Sequence, residues 1–173
     1  MNQQLIEQLE AEASRANTDL VVAWAMDDSR HLADLAEAAL NGDVPVGPRA
    51  MWALSIVAER DSQSLLPFLP EMVKALPRMS HTGMRRLACK ILMLCKLPTE
   101  FDGLIIDFCF RMLEQSDEPI GVKGNCMSLI AQRLTRYPEL KPELKAIVDD
   151  ILTTTESRGL ASRARKLGLM RDC

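Results

Sequence analysis

Apolar residues along this chain fall at helical spacing, in stripes that repeat at nearly constant intervals. A glycine opens each of four similar segments, and successive glycines lie 36, 38 and 38 residues apart: Gly47, Gly83, Gly121 and Gly159. In the first segment the apolar side chains fall at positions i, i+3, i+4 and i+7: Ala50, Ala53, Leu54 and Val57. This spacing puts four apolar side chains on one face of an α-helix, so each segment is predicted to be helical.

A second apolar stripe precedes each glycine-led segment. Before Gly83 it consists of Leu65, Leu69, Met72, Val73 and Leu76. Each repeat is therefore predicted to be a pair of helices, and stacking of the pairs buries the apolar faces that one pair leaves open. The four predicted pairs cover approximately residues 30–60, 62–96, 99–136 and 139–171. We find no alternating pattern that would indicate a β-strand.

The first 28 residues lie outside these pairs and are predicted to form two helices that cover the first pair. The second of these would begin after a cap at Asn17, Thr18 and Asp19, and bury Leu20, Val21 and Trp24. Within the pairs, side chains suited to helix N-caps are Ser29, Thr82 and Thr99. The prediction for residues 1–173 is one all-α domain.

An irregular heptapeptide occurs twice, at turns within the first and third pairs. It reads DVPVGPR over residues 43–49 and DEPIGVK over residues 117–123. Both copies have Asp first, Pro two residues later, Gly at four and a basic residue at six. The proline restricts the turn, and the glycine permits an unusual backbone angle or close packing.

A helix with Asp at its end and a basic residue opening the next helix resembles the HEAT repeat, of the armadillo-like family. The resemblance implies a right-handed α-α superhelix, a HEAT-like solenoid. It also implies a ladder of hydrogen bonds between neighbouring repeats, made by Asp43 with Arg49 and by Asp117 with Lys123. The second and fourth copies lack the acidic member of the pair.

Charge is unevenly distributed, although the net charge is only −3. The glycine-led second helices sum to +13, and the rest of the chain carries −16. The resemblance implies that the second helices line a concave face, which would then be basic and attract anionic partners. Six residues would form this basic face: Arg85, Arg86, Lys90, Arg133, Arg163 and Lys166. The alternative is that these charges are simply solvated.

Motifs for catalysis, metal binding or cofactor binding are not found in the sequence. It has no phosphate-binding glycine loop, no HExxH and no CxxC. His31 and His81 lie near helix starts, where capping or solvent exposure explains them better than a metal does. We therefore predict no cofactor and no metal.

One family of enzymes has to be considered, because some HEAT-like proteins are DNA glycosylases that use Trp and acidic residues on a basic face. Trp24 or Trp52 would have to act there with Asp43 or Asp117. Both aspartates fit the ladder instead, which argues against this enzymatic interpretation.

The remaining predictions concern the partner and the compartment. The chain has no apolar run of about 18 residues, so no membrane span is predicted. Its five cysteines lack paired spacing, which favours reduced thiols and a cytoplasmic location. The leading hypothesis is a non-catalytic module that binds a protein partner through the concave face. The alternative is a nucleic-acid or polyanion binder that uses the basic second helices.

Overall fold

The computed structural model describes residues 2–170, and within them the chain forms ten α-helices and no β-strand. Arg171, the last residue of the fourth predicted pair, and Cys173 lie outside the described residues. The helices are α1 (Gln3–Ala11), α2 (Arg15–Asp27), α3 (Ser29–Asn41), α4 (Val46–Arg60), α5 (Leu69–Ala75), α6 (Thr82–Leu94), α7 (Asp102–Glu114), α8 (Ile120–Ala131), α9 (Lys141–Thr154) and α10 (Arg158–Lys166). The all-α prediction is confirmed.

The helices follow the predicted pairing along the chain. Helices α1 and α2 precede four pairs, which are α3 with α4, α5 with α6, α7 with α8, and α9 with α10. They are distributed over two compact units, Met1–Leu97 and Pro98–Cys173, called unit 1 and unit 2 below. That residues 1–173 form one domain stays a prediction. Among the described helices, none is both long enough and apolar enough to cross a bilayer.

Helix α4 lies at the centre of unit 1. It contacts α1, α2, α3 and α6, and ten of its fifteen residues are buried. Its close approach to the end of α3 depends on Gly47, because a Cβ there would lie 2.4 Å from the carbonyl oxygen of Gly42. The close packing predicted for this glycine is therefore confirmed.

The first helix of the second pair is broken into three pieces, where the apolar stripe predicted one continuous helix. A 3₁₀ segment at Gln63–Phe68 leads into α5, and a 3₁₀ turn at Leu76–Arg78 follows it. Proline occurs in each piece, and its missing N–H and fixed φ disfavour an uninterrupted α-helix: Pro67, Pro70 and Pro77. The predicted stripe is nevertheless fully buried.

The N-caps of α3 and α6 lie one residue earlier than predicted. Asp28, not Ser29, accepts a hydrogen bond from the first turn of α3, and His81, not Thr82, does so for α6. Capping, one of the two explanations offered for His81, is thus correct, whereas Thr99 opens a 3₁₀ turn that has no side-chain cap.

The start of α2 was also predicted wrongly. Ser14 caps it, by accepting a hydrogen bond from the backbone N–H of Asn17 at 3.1 Å. The Asn17 side chain lies inside the structure and donates to the carbonyl oxygens of Gln8 and Glu12, both at 2.8 Å. It therefore ties α2 to the end of α1. Leu20, predicted to be buried, is 64% exposed.

Helix α8 is the most enclosed element of unit 2. It contacts α7, α9 and α10, and eight of its twelve residues are buried. Val122, Cys126 and Leu129 are among them, and polar residues on the same helix are buried as well. The candidate functional residues of unit 2 include some of these buried polar side chains.

Candidate functional site

In unit 1, the predicted basic residues form hydrogen bonds and an ion pair within the protein. Arg85 donates through Nη1 to the carbonyl oxygens of Met79 and Ser80, at 2.7 and 3.1 Å. Lys90 pairs with Glu59 of α4, with 2.6 Å between Nζ and Oε1. Arg86 is exposed on α6 and also has a partner within the protein. Arg85 and Lys90 therefore hold helix α6 to its surroundings.

In unit 2, two of the three predicted basic residues are also engaged internally. Arg163 donates through Nη1 to Oδ1 of Asn125 at 2.9 Å, which joins α10 to α8. Lys166 is exposed in the last turn of α10, where a cation interacts favourably with the helix dipole. Arg133 is only 7% exposed, so its guanidinium lies inside the unit.

A buried ion pair explains the position of Arg133. Its Nε donates to Oδ1 of Asp102 at 2.8 Å, and its Nη1 donates to the carbonyl oxygen of Leu129 at 2.9 Å. The second oxygen of Asp102 accepts hydrogen bonds from Arg136 Nη1 and from the Tyr137 hydroxyl. Sequence reasoning missed Asp102, because nothing in the local pattern marks partners that lie 31 to 35 residues apart.

The first predicted ladder pair has a different geometry from the one expected. Arg49 donates through Nη1 to the carbonyl oxygens of Leu9 and Glu10, at 2.6 and 3.0 Å, near the end of α1. Asp43 is exposed, and its backbone carbonyl accepts the N–H of Gly47. Arg49 thus links two helices through backbone carbonyls. The inter-repeat ladder itself stays a prediction.

The second predicted ladder pair, Asp117 with Lys123, differs even more from the expected geometry. Asp117 is exposed, whereas Lys123 is only 6% exposed. Within residues 2–170, no ion pair or hydrogen bond to a protein oxygen engages the Lys123 ammonium. Since no fully buried side-chain nitrogen of the described residues lacks a partner, the stem of Lys123 is buried while its ammonium opens to solvent.

Lys123 lines a cleft of about 650 Å³ in unit 2, called the Lys123 cleft below. Residues at the end of α7, on α9 and just after α9 complete it: Leu113, Glu114, Ser116, Ala146, Ile147, Asp150, Ile151, Thr154 and Thr155. Its volume falls within the range of about 300–1,000 Å³ typical of ligand sites. The lining combines apolar walls, hydroxyl groups, the one ammonium of Lys123 and two exposed carboxylates.

A smaller apolar cleft of about 340 Å³ lies on the first two helices of unit 1. It is lined by Leu5, Leu20, Val21 and Trp24, together with glutamines of α1. The indole of Trp24 also stacks on the ring of His31, with centroids 4.1 Å apart. The contact with Trp24 accounts for His31 without a metal.

Titratable groups elsewhere have local causes for their altered pKa values. The Arg30 side chain and then its backbone N–H lower the pKa of Asp28 to about 2, which keeps this helix cap ionised. Burial raises the pKa of the Cys95 thiol to about 11, so that it is a poor nucleophile near neutral pH. Of the residues described, no cluster of three or more His, Cys, Asp or Glu is placed to hold a metal ion.

Comparison with known proteins gives one match. A family model described as a HEAT repeat domain matches residues 5–168. No curated protein and no solved structure matches the chain. The matched range includes all ten helices except the first two residues of α1.

Proposed function

The chain belongs to the HEAT repeat domain family, and on that premise we propose that it is a non-catalytic module that binds a protein partner. HEAT repeats commonly mediate protein interactions, and the family is typically non-catalytic. The observation that carries the proposal is the extent of the family match, residues 5–168, which includes both units.

The proposed partner surface is the concave face predicted for the second helices of the pairs. Helices α4 and α8 bury most of their residues, so exposed contacts on these second helices would come mainly from α6 and α10. A few well-packed anchor residues would supply most of the binding energy, as in other protein interfaces.

The surroundings of the acidic residues support a non-catalytic role. A catalytic acid or base needs a pKa tuned to its task and access to a substrate. Asp102 is buried but compensated by Arg133 and Arg136, and Asp43 and Asp117 are exposed. None of the three combines a desolvated carboxylate with an open cleft, as the glycosylase interpretation requires.

Binding of nucleic acid or another polyanion is the second candidate function, based on the uneven charge. Five of its six predicted residues have partners within the protein: Arg85, Arg86, Lys90, Arg133 and Arg163. A protein that makes 6 to 10 phosphate contacts loses roughly 10³–10⁵ in affinity between 50 and 200 mM salt. Titration of fluorescent DNA and RNA at those salt concentrations therefore tests this alternative. Binding that is micromolar or tighter and falls steeply with salt would favour it.

Affinity capture tests the leading proposal. The full chain is immobilised and incubated with nuclease-treated lysate of its native host, at about 50 and 200 mM salt. We expect one defined protein to be retained at both salt concentrations. The control is an Arg86→Glu, Lys166→Glu variant, which reverses two exposed charges that a polyanion would use. Retention that requires nucleic acid, or that vanishes at the higher salt, would contradict the proposal.

A further inference from the structure

The Lys123 ammonium is a charged group of unit 2 for which the described part of the fold provides no partner. Its side chain is 6% exposed and lines the Lys123 cleft, where no described oxygen of the protein pairs with it. The ammonium nitrogen is not sealed from solvent, because no fully buried side-chain nitrogen or oxygen of the described residues lacks a hydrogen-bond partner. Its aliphatic stem is held by packing while the charged end opens to the cleft, so that the ammonium is positioned in advance to meet a ligand oxygen.

The walls of the Lys123 cleft fit a short peptide segment. Leu113, Ile147 and Ile151 provide an apolar surface for aliphatic side chains. Ser116 and Thr155 supply hydroxyl groups that donate to or accept from a peptide backbone. This combination of an apolar lining with a few polar groups is typical of a recognition site.

Two carboxylates limit the charge of the ligand. Glu114 and Asp150 line the same cleft and are exposed. Together with Lys123 they give the lining a net charge of −1, so a multiply charged anion such as phosphate is repelled. A single carboxylate that reaches Lys123, next to a cation that reaches Glu114 or Asp150, matches both signs.

We propose that the Lys123 cleft binds an extended peptide segment of the partner protein that carries an acidic side chain followed by a basic one. The acidic side chain pairs with the Lys123 ammonium, and the basic side chain pairs with the exposed carboxylates. This proposal rests on the proposed function and assigns the chemistry of the partner at a place that the ladder interpretation treats as purely structural.

Peptide titration of the isotopically labelled full chain, followed by NMR, tests the proposal. The probes are acetyl-Leu-Glu-Arg-Leu-amide, the same peptide with Gln in place of Glu, and inorganic phosphate. We expect saturable amide shifts around residues 113–123 and 146–155. We also expect the Glu peptide to bind at least about tenfold more tightly than the Gln peptide, because Gln offers the ammonium a neutral amide oxygen in place of a carboxylate.

Variants of the cleft separate recognition from nonspecific attraction. Lys123→Met is expected to abolish the preference for the Glu peptide, whereas Lys141→Met, at an exposed site in α9, should leave it unchanged. A Glu114→Gln, Asp150→Asn variant should keep that preference and lose the contribution of the Arg side chain. Equal binding of the Glu and Gln peptides, tighter binding of phosphate, or no shifts in the cleft would overturn the proposal.

A stability measurement gives a second test that needs no ligand. If Lys123 serves a binding role, Lys123→Met should melt at the same temperature as the wild type or higher, because the ammonium has no partner among the described residues and Met keeps the packing of the buried stem. A fall of several degrees, or failure to fold, would show that the ammonium stabilises the fold and would overturn the proposal. Capture of one partner by wild type and Lys123→Met alike would also overturn it, but would leave the proposed function intact.

Discussion

Replacing Asp102 by asparagine removes the charge that balances a buried guanidinium in unit 2. Asp102 is only 2% exposed and Arg133 only 7% exposed, so water does little to replace the lost interaction. Asparagine preserves the size of the side chain. The substitution therefore isolates the charge from packing.

The expected loss of stability follows from the geometry of the ion pair. Asp102 and Arg133 form a 2.8 Å ion pair, and Arg136 and Tyr137 donate to the other carboxylate oxygen. Opposite charges 4 Å apart attract by about 4 kcal/mol at an effective dielectric constant of about 20. Breaking a buried pair by removing one partner costs about 3–5 kcal/mol, because the other charge stays buried. With roughly 2–4 °C per kcal/mol for a chain of this size, the melting temperature should fall by about 6–20 °C.

Thermal and urea unfolding, followed by circular dichroism, measure this loss. The matched control is Asp107→Asn on the same helix, because Asp107 is an exposed carboxylate paired with Arg111. Its loss should cost no more than about 0.5 kcal/mol. Replacing both buried partners, with Asp102→Leu and Arg133→Met, should recover part of the stability, since no buried charge is left unpaired.

Two results would contradict a stabilising charge interaction between Asp102 and Arg133. If Asp102→Asn and Asp107→Asn melt within about 1 °C of each other, the pair does not stabilise the fold as a desolvated charge interaction would. If the double replacement is no more stable than Asp102→Asn alone, the cost comes from shape rather than from charge.

Three further predictions concern a glycine, a buried amide and a thiol. Gly47→Ala should destabilise the fold by about 1–3 kcal/mol or more, the usual cost of overpacking, because the new Cβ meets the Gly42 carbonyl. The control is Gly103→Ala, where a Cβ would have no atom within 4 Å; it should be neutral or stabilising in the same melts. Asn17→Ala should cost roughly 1–3 kcal/mol against the same Gly103→Ala benchmark, since two carbonyls at the α1–α2 junction lose their donor, and a change below about 0.3 kcal/mol would refute that bridging role. Alkylation of Cys95, mapped by mass spectrometry, should be slow at pH 8 and accelerate as the pH approaches the thiol pKa of about 11, because burial favours the neutral thiol. The stability that the buried neutral thiol contributes is present below the ordinary pKa and is lost as the pH rises through 11. An inflection of the alkylation rate near pH 8.5 would contradict this prediction.

The helix pairs could be predicted from the sequence because their signal is local. A glycine-led apolar stripe that recurs every 36 to 38 residues identifies the second helices directly. The predicted starts of the helices were less accurate, because any of several neighbouring polar residues can serve as the N-cap. At α2 the hydroxyl of Ser14 takes that role, and Asn17 instead bridges two helices.

The candidate site was harder to predict, because its contacts join residues that are distant in the sequence. The spacing of Asp43 and Arg49 indicated a pair, but the guanidinium reaches Leu9, 40 residues away. The same motif drew attention to Lys123, yet its burial in a cleft is a property of how α7, α8 and α9 pack together. A one-dimensional pattern gives no information about which oxygen lies nearest to a long side chain.

The most direct test of the central claim is the dissociation constant of the captured partner for the full chain, measured at about 50 and 200 mM salt. For a protein partner that is held by a few buried anchors, we predict a change of less than about tenfold over this range. A loss of roughly 10³ or more, or a retained partner that proves to be nucleic acid, would contradict the account and favour a polyanion binder.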